Sequence, residues 1–140
     1  MSVPQRRVAI TGLGLITPLG NTIAENWQSI TAGQSGITHI THFETSELPV
    51  DIAGSIHGFD PTDFMSRKDA RAMDAFAQYA VAAAQMAVTD ADLMPLENTG
   101  IPPERMGVLL GVGMGGVATL EDSHRRFVTA GAKKVSPFFI

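Results

Sequence analysis

An α/β fold is expected from three stretches of this 140-residue chain. Residues 8–11, Val-Ala-Ile-Thr, are an apolar and partly β-branched run that ends in a loop punctuated by Gly12, Gly14, Thr17-Pro18 and Gly20. Residues 106–110 are a second such run, ending in Gly111-Val112-Gly113-Met114-Gly115-Gly116. Between them, residues 66–90 carry apolar and small side chains at helical spacing. A β-branched run closed by glycines suits a strand edge where backbone passes close to backbone, and it makes the first strand central to a sheet.

The elements follow in chain order. After the first loop, Asn21 or Thr22 can cap a helix, with Glu25 one turn later. Residues 22–31 then form a short amphipathic helix with Ile23, Trp27 and Ile30 on one face, ended by Gly33, Ser35 and Gly36. Residues 37–65 hold short β-like pieces at 37–40 and 50–53, and Pro49, Gly54, Gly58 and Pro61 keep them short. The longest helix is expected over residues 66–90, with Ser66 as N-cap and Asp69 completing an S-x-x-D capping pattern. Its second half is nearly all alanine (Ala80, Ala82, Ala83, Ala84, Ala87), which lets neighbours approach on more than one side and predicts a buried central helix. Residues 90–105 are a connector rich in Pro and Asp, and a last helix is expected over about 117–129.

A chain of this length fits one domain and can bury a real core. With 44% hydrophobic and 17% charged residues it is neither disordered nor supercharged. A net charge of −4 gives no general electrostatic case for nucleic acid or an anionic membrane, so any acidic partner must be met by a local basic patch. No cysteine is present, which removes disulfides, zinc thiolates and thiol nucleophiles from these residues. The start lacks the long apolar run of a signal peptide, and no apolar stretch is long enough to span a bilayer. A soluble, cytoplasmic protein is the expectation.

Gly111, Gly113 and Gly116 match G-x-G-x-x-G between an expected strand and an expected helix, the dinucleotide-binding fingerprint in its proper local context. Such a loop would aim backbone amides and a helix N-terminus at a pyrophosphate. The companion acid at the end of the next strand is missing: Glu121 and Asp122 fall inside the helix, and residues 131–140 contain none. A glycine loop with one methionine at its centre equally suits a tunnel wall, where absent side chains leave room and a flexible thioether lines it. A small Rossmann-like nucleotide-binding domain therefore stands as the alternative.

Arg67, Lys68 and Arg71 cluster at the start of the long helix, where the macrodipole slightly disfavours cations. Lys133-Lys134 follow the last helix, at its favourable end. The four histidines, His39, His42, His57 and His124, show no metal-ligand spacing and read as exposed loop residues. No G-x-S-x-G elbow occurs.

In order along the chain, VAITGLGLITPLGN, GQSGI at 33–37, SRKDARAMDAFAQYA, GVGMGG and KKVSPFF closely resemble the type II β-ketoacyl-acyl-carrier-protein synthases, thiolase-like condensing enzymes of fatty-acid synthesis. The resemblance implies a thiolase-like layered α/β fold, with residues 1–140 as part of its first half, truncated before the nucleophile. It implies a decarboxylative Claisen condensation in which an acyl group on a cysteine is attacked by the carbanion equivalent of malonyl-carrier protein, with two histidines assisting. The cysteine and the histidines would lie beyond SPFF, so the 140 residues alone are expected to be inactive. Carried over by position, Gly113 and Met114 would wall the acyl pocket, with Met114 as a movable gate. Phe139 would reach across a dimer interface toward the partner's pocket, or else pack within its own core. Arg67, Lys68, Arg71, Lys133 and Lys134 would dock the acidic acyl carrier protein, although Ala72 stands where the family is often basic. The implied partners are the carrier protein and a second copy, with no cofactor, metal, nucleic acid or membrane. A non-catalytic chain-length-factor-like homologue fits the same residues. The apolar end Phe138-Phe139-Ile140 is expected to mark a cut inside a larger domain.

Overall fold

The computed structural model describes residues 6–137 and residue 139. Residues 1–5, where the start of the chain was read for a leader, and Phe138 and Ile140 of the apolar end lie outside the described residues. The chain divides into two compact units: residues 1–58 with 83–100, and residues 59–82 with 101–140. Among the described residues four α-helices are formed: α1 (Ile23–Thr31), α2 (Arg67–Ala72), α3 (Ala75–Asp90) and α4 (Val117–Ala130). Strands β1 (Thr38–His39) and β2 (Ile52–Ala53) pair antiparallel, with Thr38 opposite Ala53 and His39 opposite Ile52.

In the first unit the glycine loop and α1 form as expected. Thr17 and Gly20 exchange backbone hydrogen bonds of 3.0 and 3.1 Å around Pro18-Leu19, a tight turn. Thr22 caps α1: its Oγ1 accepts the Glu25 N–H at 3.2 Å, while Glu25 Oε2 accepts the Thr22 N–H at 3.1 Å and the Asn21 N–H at 2.8 Å. This reciprocal box satisfies N–H groups that a helix start leaves unpaired. The apolar face read from Ile23, Trp27 and Ile30 is not the packed one, since Trp27 and Ile30 are exposed. Asn26 is buried instead. It bonds the Thr17 hydroxyl and donates through Nδ2 to Gly20 O (2.8 Å) and Thr22 O (2.7 Å), so a polar side chain fastens the loop to the helix. Leu13 N–H donates to Asp90 Oδ2 at 2.9 Å, which lays the same loop along the C-terminal half of α3. The approach is close: a Cβ on Gly14 would stand 2.6 Å from Ala87 N and 2.8 Å from Met86 Cβ.

The expected single helix over 66–90 is broken. Ser66 does cap its start, accepting the Asp69 N–H at 3.1 Å, but α2 ends at Met73 in extended conformation. Asp74 then restarts the helix, its Oδ1 accepting the Ala75 N–H at 2.6 Å. Aspartate competes with the helical backbone for its own N–H groups, so within a helical pattern it favours a start over a continuation. Gln78 Nε2 donates to the freed carbonyls of Ala70 (2.8 Å) and Met73 (3.1 Å). In the second unit a small aromatic cluster forms, Phe59 stacking on Phe64 at 5.9 Å and meeting Tyr79 edge-on at 5.0 Å.

Neither long strand is present among the described residues. Residues 6–16 and 106–112 carry no ladder pairing, and Val8, Ile10, Val108 and Leu109 are almost wholly exposed, Leu109 at 97%. A strand that is apolar on both faces needs neighbours on each edge and layers above and below; the two short strands present pair only with each other. Few apolar side chains are fully buried among the described residues. Ala82 on α3 is the fully buried apolar side chain among the described residues, so α3 is central in sequence without being buried throughout.

Candidate functional site

The glycine loop at 111–116 opens onto α4. Among the described residues Gly111 and Gly113 have nothing within 4 Å of where a Cβ would be, and Met114, which follows Gly113, is 82% exposed. Gly116, at φ +68°, adopts the left-handed conformation that glycine tolerates and caps α4 without a side-chain bond of its own.

The cap comes from elsewhere. Asp74 Oδ2 accepts both the Thr119 N–H (3.1 Å) and the Thr119 hydroxyl (2.7 Å), which places a carboxylate in the first turn of α4. The Thr119 hydroxyl is the largest influence lowering the Asp74 pKa from its ordinary value; partial burial opposes it, and the Thr119 and Ala75 amides add to it. Carboxylate, not incoming phosphate, thus meets the positive end of this helix. With no strand formed before Gly111 either, the fingerprint lacks the geometry of a nucleotide site. Sequence reasoning missed Asp74. Its signal was present, an aspartate directly before a run of helix formers, but the apolar spacing across it read as unbroken.

Around this point lies an open cavity of about 470 Å³ bordered by Arg71, Asp74, Thr119, Asp122, Ser123 and Arg126. Arg126 pairs with Asp122 at 2.7 Å along α4. Arg71 also borders a groove of about 480 Å³ with Asp60 and Arg67. Arg67, Lys68 and Arg71 all stand exposed on α2, and Lys133 and Lys134 are exposed in the helical turn Ala132–Lys134. Phe139 is half-buried and borders an apolar cleft of about 290 Å³ with Leu120, His124, Phe127 and Val135.

The histidines are exposed, His39 bonding Asp51 at 2.9 Å across β1 and β2. Among the described residues no group of three or more His, Cys, Asp or Glu could hold a metal, and no helix is long and apolar enough to cross a membrane.

The comparisons agree on one family. Residues 5–140 match the family described as the β-ketoacyl synthase N-terminal domain. The chain is 43% identical over 136 residues to a 3-oxoacyl-[acyl-carrier-protein] synthase 2 of Vibrio cholerae, covering 97% of this chain and 32% of that protein. It superposes on a β-ketoacyl synthase of Burkholderia phymatum with a TM-score of 0.74 at 26% identity, covering 96% of this chain and 33% of that one. Against the ishigamide ketosynthase/chain length factor the TM-score is 0.73 at 28% identity, again covering 96% and 33%. The chain therefore spans about a third of the length of its relatives and shares the thiolase-like α/β fold of the ketosynthases over nearly all of its own. It belongs to the β-ketoacyl synthase family, matching the N-terminal domain.

Proposed function

We propose that this chain is the N-terminal part of a 3-oxoacyl-[acyl-carrier-protein] synthase, which extends an acyl group by decarboxylative Claisen condensation with malonyl-acyl carrier protein. The chain contains no cysteine, so the nucleophile belongs to a part of the protein beyond these residues. What these residues supply is a pocket wall, a docking face and subunit contacts.

The observation that carries the reading is Met114, a large thioether exposed on a glycine loop, with open space among the described residues at Gly113 before it and the Phe76 ring against Gly115 after it. In a member of this family that arrangement suits a side chain that must swing aside for an acyl chain, with Gly113 leaving the room. Phe139 lines the acyl side of the dimer contact in the same reading. Arg67, Lys68 and Arg71 on α2, with Lys133 and Lys134, present cations on a chain of net charge −4 and suit an acidic carrier protein. The exposed segments 8–10 and 108–110 have the composition of strands completed by the rest of the layered fold. The whole protein is a cytoplasmic homodimer.

The test is to supply the full-length protein with acyl- and malonyl-carrier protein. Two-carbon extension with release of CO₂ supports the proposal, and the 140 residues alone should give no product. A full-length protein that extends nothing yet is stabilised by NAD(P) would instead restore the nucleotide reading. The likeness to a ketosynthase/chain length factor favours a second reading, a non-catalytic homologue. A full-length protein that binds carrier protein but condenses only beside a separate ketosynthase subunit would select it.

A further inference from the structure

We infer that Asp74 is a positioning residue that clamps the root of the Met114 loop, and that this clamp sets how readily the loop yields to a long acyl chain. The inference rests on the reading of Met114 as the gate.

Three bonds converge on this one carboxylate. Oδ1 accepts the Ala75 N–H at 2.6 Å and so belongs to the start of α3. Oδ2 reaches across 45 residues of sequence to the Thr119 N–H and hydroxyl, and so belongs to the start of α4. Two residues on, Phe76 completes the clamp: a Cβ built on Gly115 would lie 3.0 Å from its Cε2 and Cζ atoms, so the ring rests against the loop's backbone. Gly115 and the first turn of α4 are therefore both held from the α3 side.

Among the described residues Gly111 and Gly113 have no neighbour within 4 Å of a built Cβ, and Gly116 sits at φ +68°. With its root held at Gly115 and at the first turn of α4, the loop swings Met114 most readily by pivoting at the glycine pair Gly115-Gly116. The strength of the Asp74–Thr119 bonds then decides how much of that pivot the protein allows. The signature is distinct from general stability, because the clamp touches neither acyl chain nor reacting atoms. Its loss should alter discrimination between chain lengths more than turnover of a chain short enough to leave the gate closed.

The test uses the full-length synthase with Asp74→Ala, the milder Thr119→Val, and Thr119→Ser, which keeps the hydroxyl. Hydrogen exchange of the amides at 115–119 should quicken about tenfold in Asp74→Ala and Thr119→Val, with α1 amides unchanged and Thr119→Ser close to wild type. The ratio of kcat/KM for palmitoyl- over hexanoyl-carrier thioester should rise about threefold or more in the first two variants only. In a Met114→Ala background, where no gate remains, Asp74→Ala should leave that ratio unchanged. Unchanged exchange at the loop root overturns the clamp. Faster exchange with both substrates falling in step overturns its part in selectivity and leaves a purely structural cap. A wild-type protein that condenses neither substrate sinks the gate reading itself, and the inference with it.

Discussion

Gly14→Ala puts the packing of the first loop on α3 to a direct test. The added Cβ would lie 2.6 Å from Ala87 N, about 0.8 Å short of the 3.4 Å at which ordinary contact begins, and 2.8 Å from Met86 Cβ. The Ala83 carbonyl oxygen stands closer still, and none of the three obstacles is the flexible tip of a side chain: two are helix backbone and the third is fixed to it. Relief must come from moving the loop or the helix, which strains the Leu13–Asp90 hydrogen bond beside it. Overpacking that side chains can absorb costs about 1–3 kcal/mol, so a clash against backbone belongs at or above about 3 kcal/mol. Gly58→Ala supplies the comparison. Its Cβ would meet only Asn21 Nδ2 at 3.7 Å, but its φ of +67° costs a non-glycine residue about 1–2 kcal/mol. Urea unfolding of the full-length protein, followed by circular dichroism, should rank Gly14→Ala well below Gly58→Ala in stability. If Gly14→Ala costs as little as Gly58→Ala or less, the loop does not lie against α3 as described.

Thr22→Ala removes half of the capping box and should destabilise by about 1 kcal/mol in the same unfolding assay. The Asp74 bonds carry a pH signature. Its pKa is depressed in the folded state, so the stabilisation is present above the ordinary aspartate value of 3.8 and is lost as pH falls through the lower folded value. The stability gap between wild type and Asp74→Asn should therefore be widest near neutrality and close in acid; a gap that is constant with pH would show that the carboxylate is not held by Thr119. Charge reversal at Lys68 and Arg71 should raise KM for the carrier protein about tenfold with kcat little changed, and added salt should shrink the difference. Phe139→Ala should alter acyl-length preference, measured as kcat/KM across a thioester series; unchanged preference would favour plain packing in the cleft beside Leu120 and Phe127.

Local signals in the sequence were reliable where local chemistry decides structure. The glycine-punctuated first loop, the Thr22/Glu25 cap, the Ser66 cap and the short β pieces near 37–40 and 50–53 were legible, because each is settled by residues a few positions apart or by glycine and proline punctuation; the pairing of β1 with β2 was not. What failed depends on distant partners. Residues 8–11 and 106–110 have strand composition, but a strand exists only by pairing, and no segment among the described residues supplies the ladder. The helix at 66–90 was read through Asp74 because apolar periodicity continues across it; what fixes the break is Thr119, 45 residues away. Asn26 shows the same limit, since an amphipathic reading assigns the packed face to Trp27 while hydrogen bonds to the glycine loop assign it to a polar residue. The proposed site was legible as residue types in order, Gly113-Met114 and the α2 cations. Its clamp was not.

The most direct measurement is to find where the acyl group goes. Full-length protein would be incubated with acyl-carrier thioester alone, digested, and the acylated peptide mapped by mass spectrometry. The account predicts a single thioester on a cysteine outside these 140 residues, with none of the serines, threonines or lysines within them modified. An acyl group carried on a residue of this chain, or a protein that takes up no acyl group at all, would contradict it.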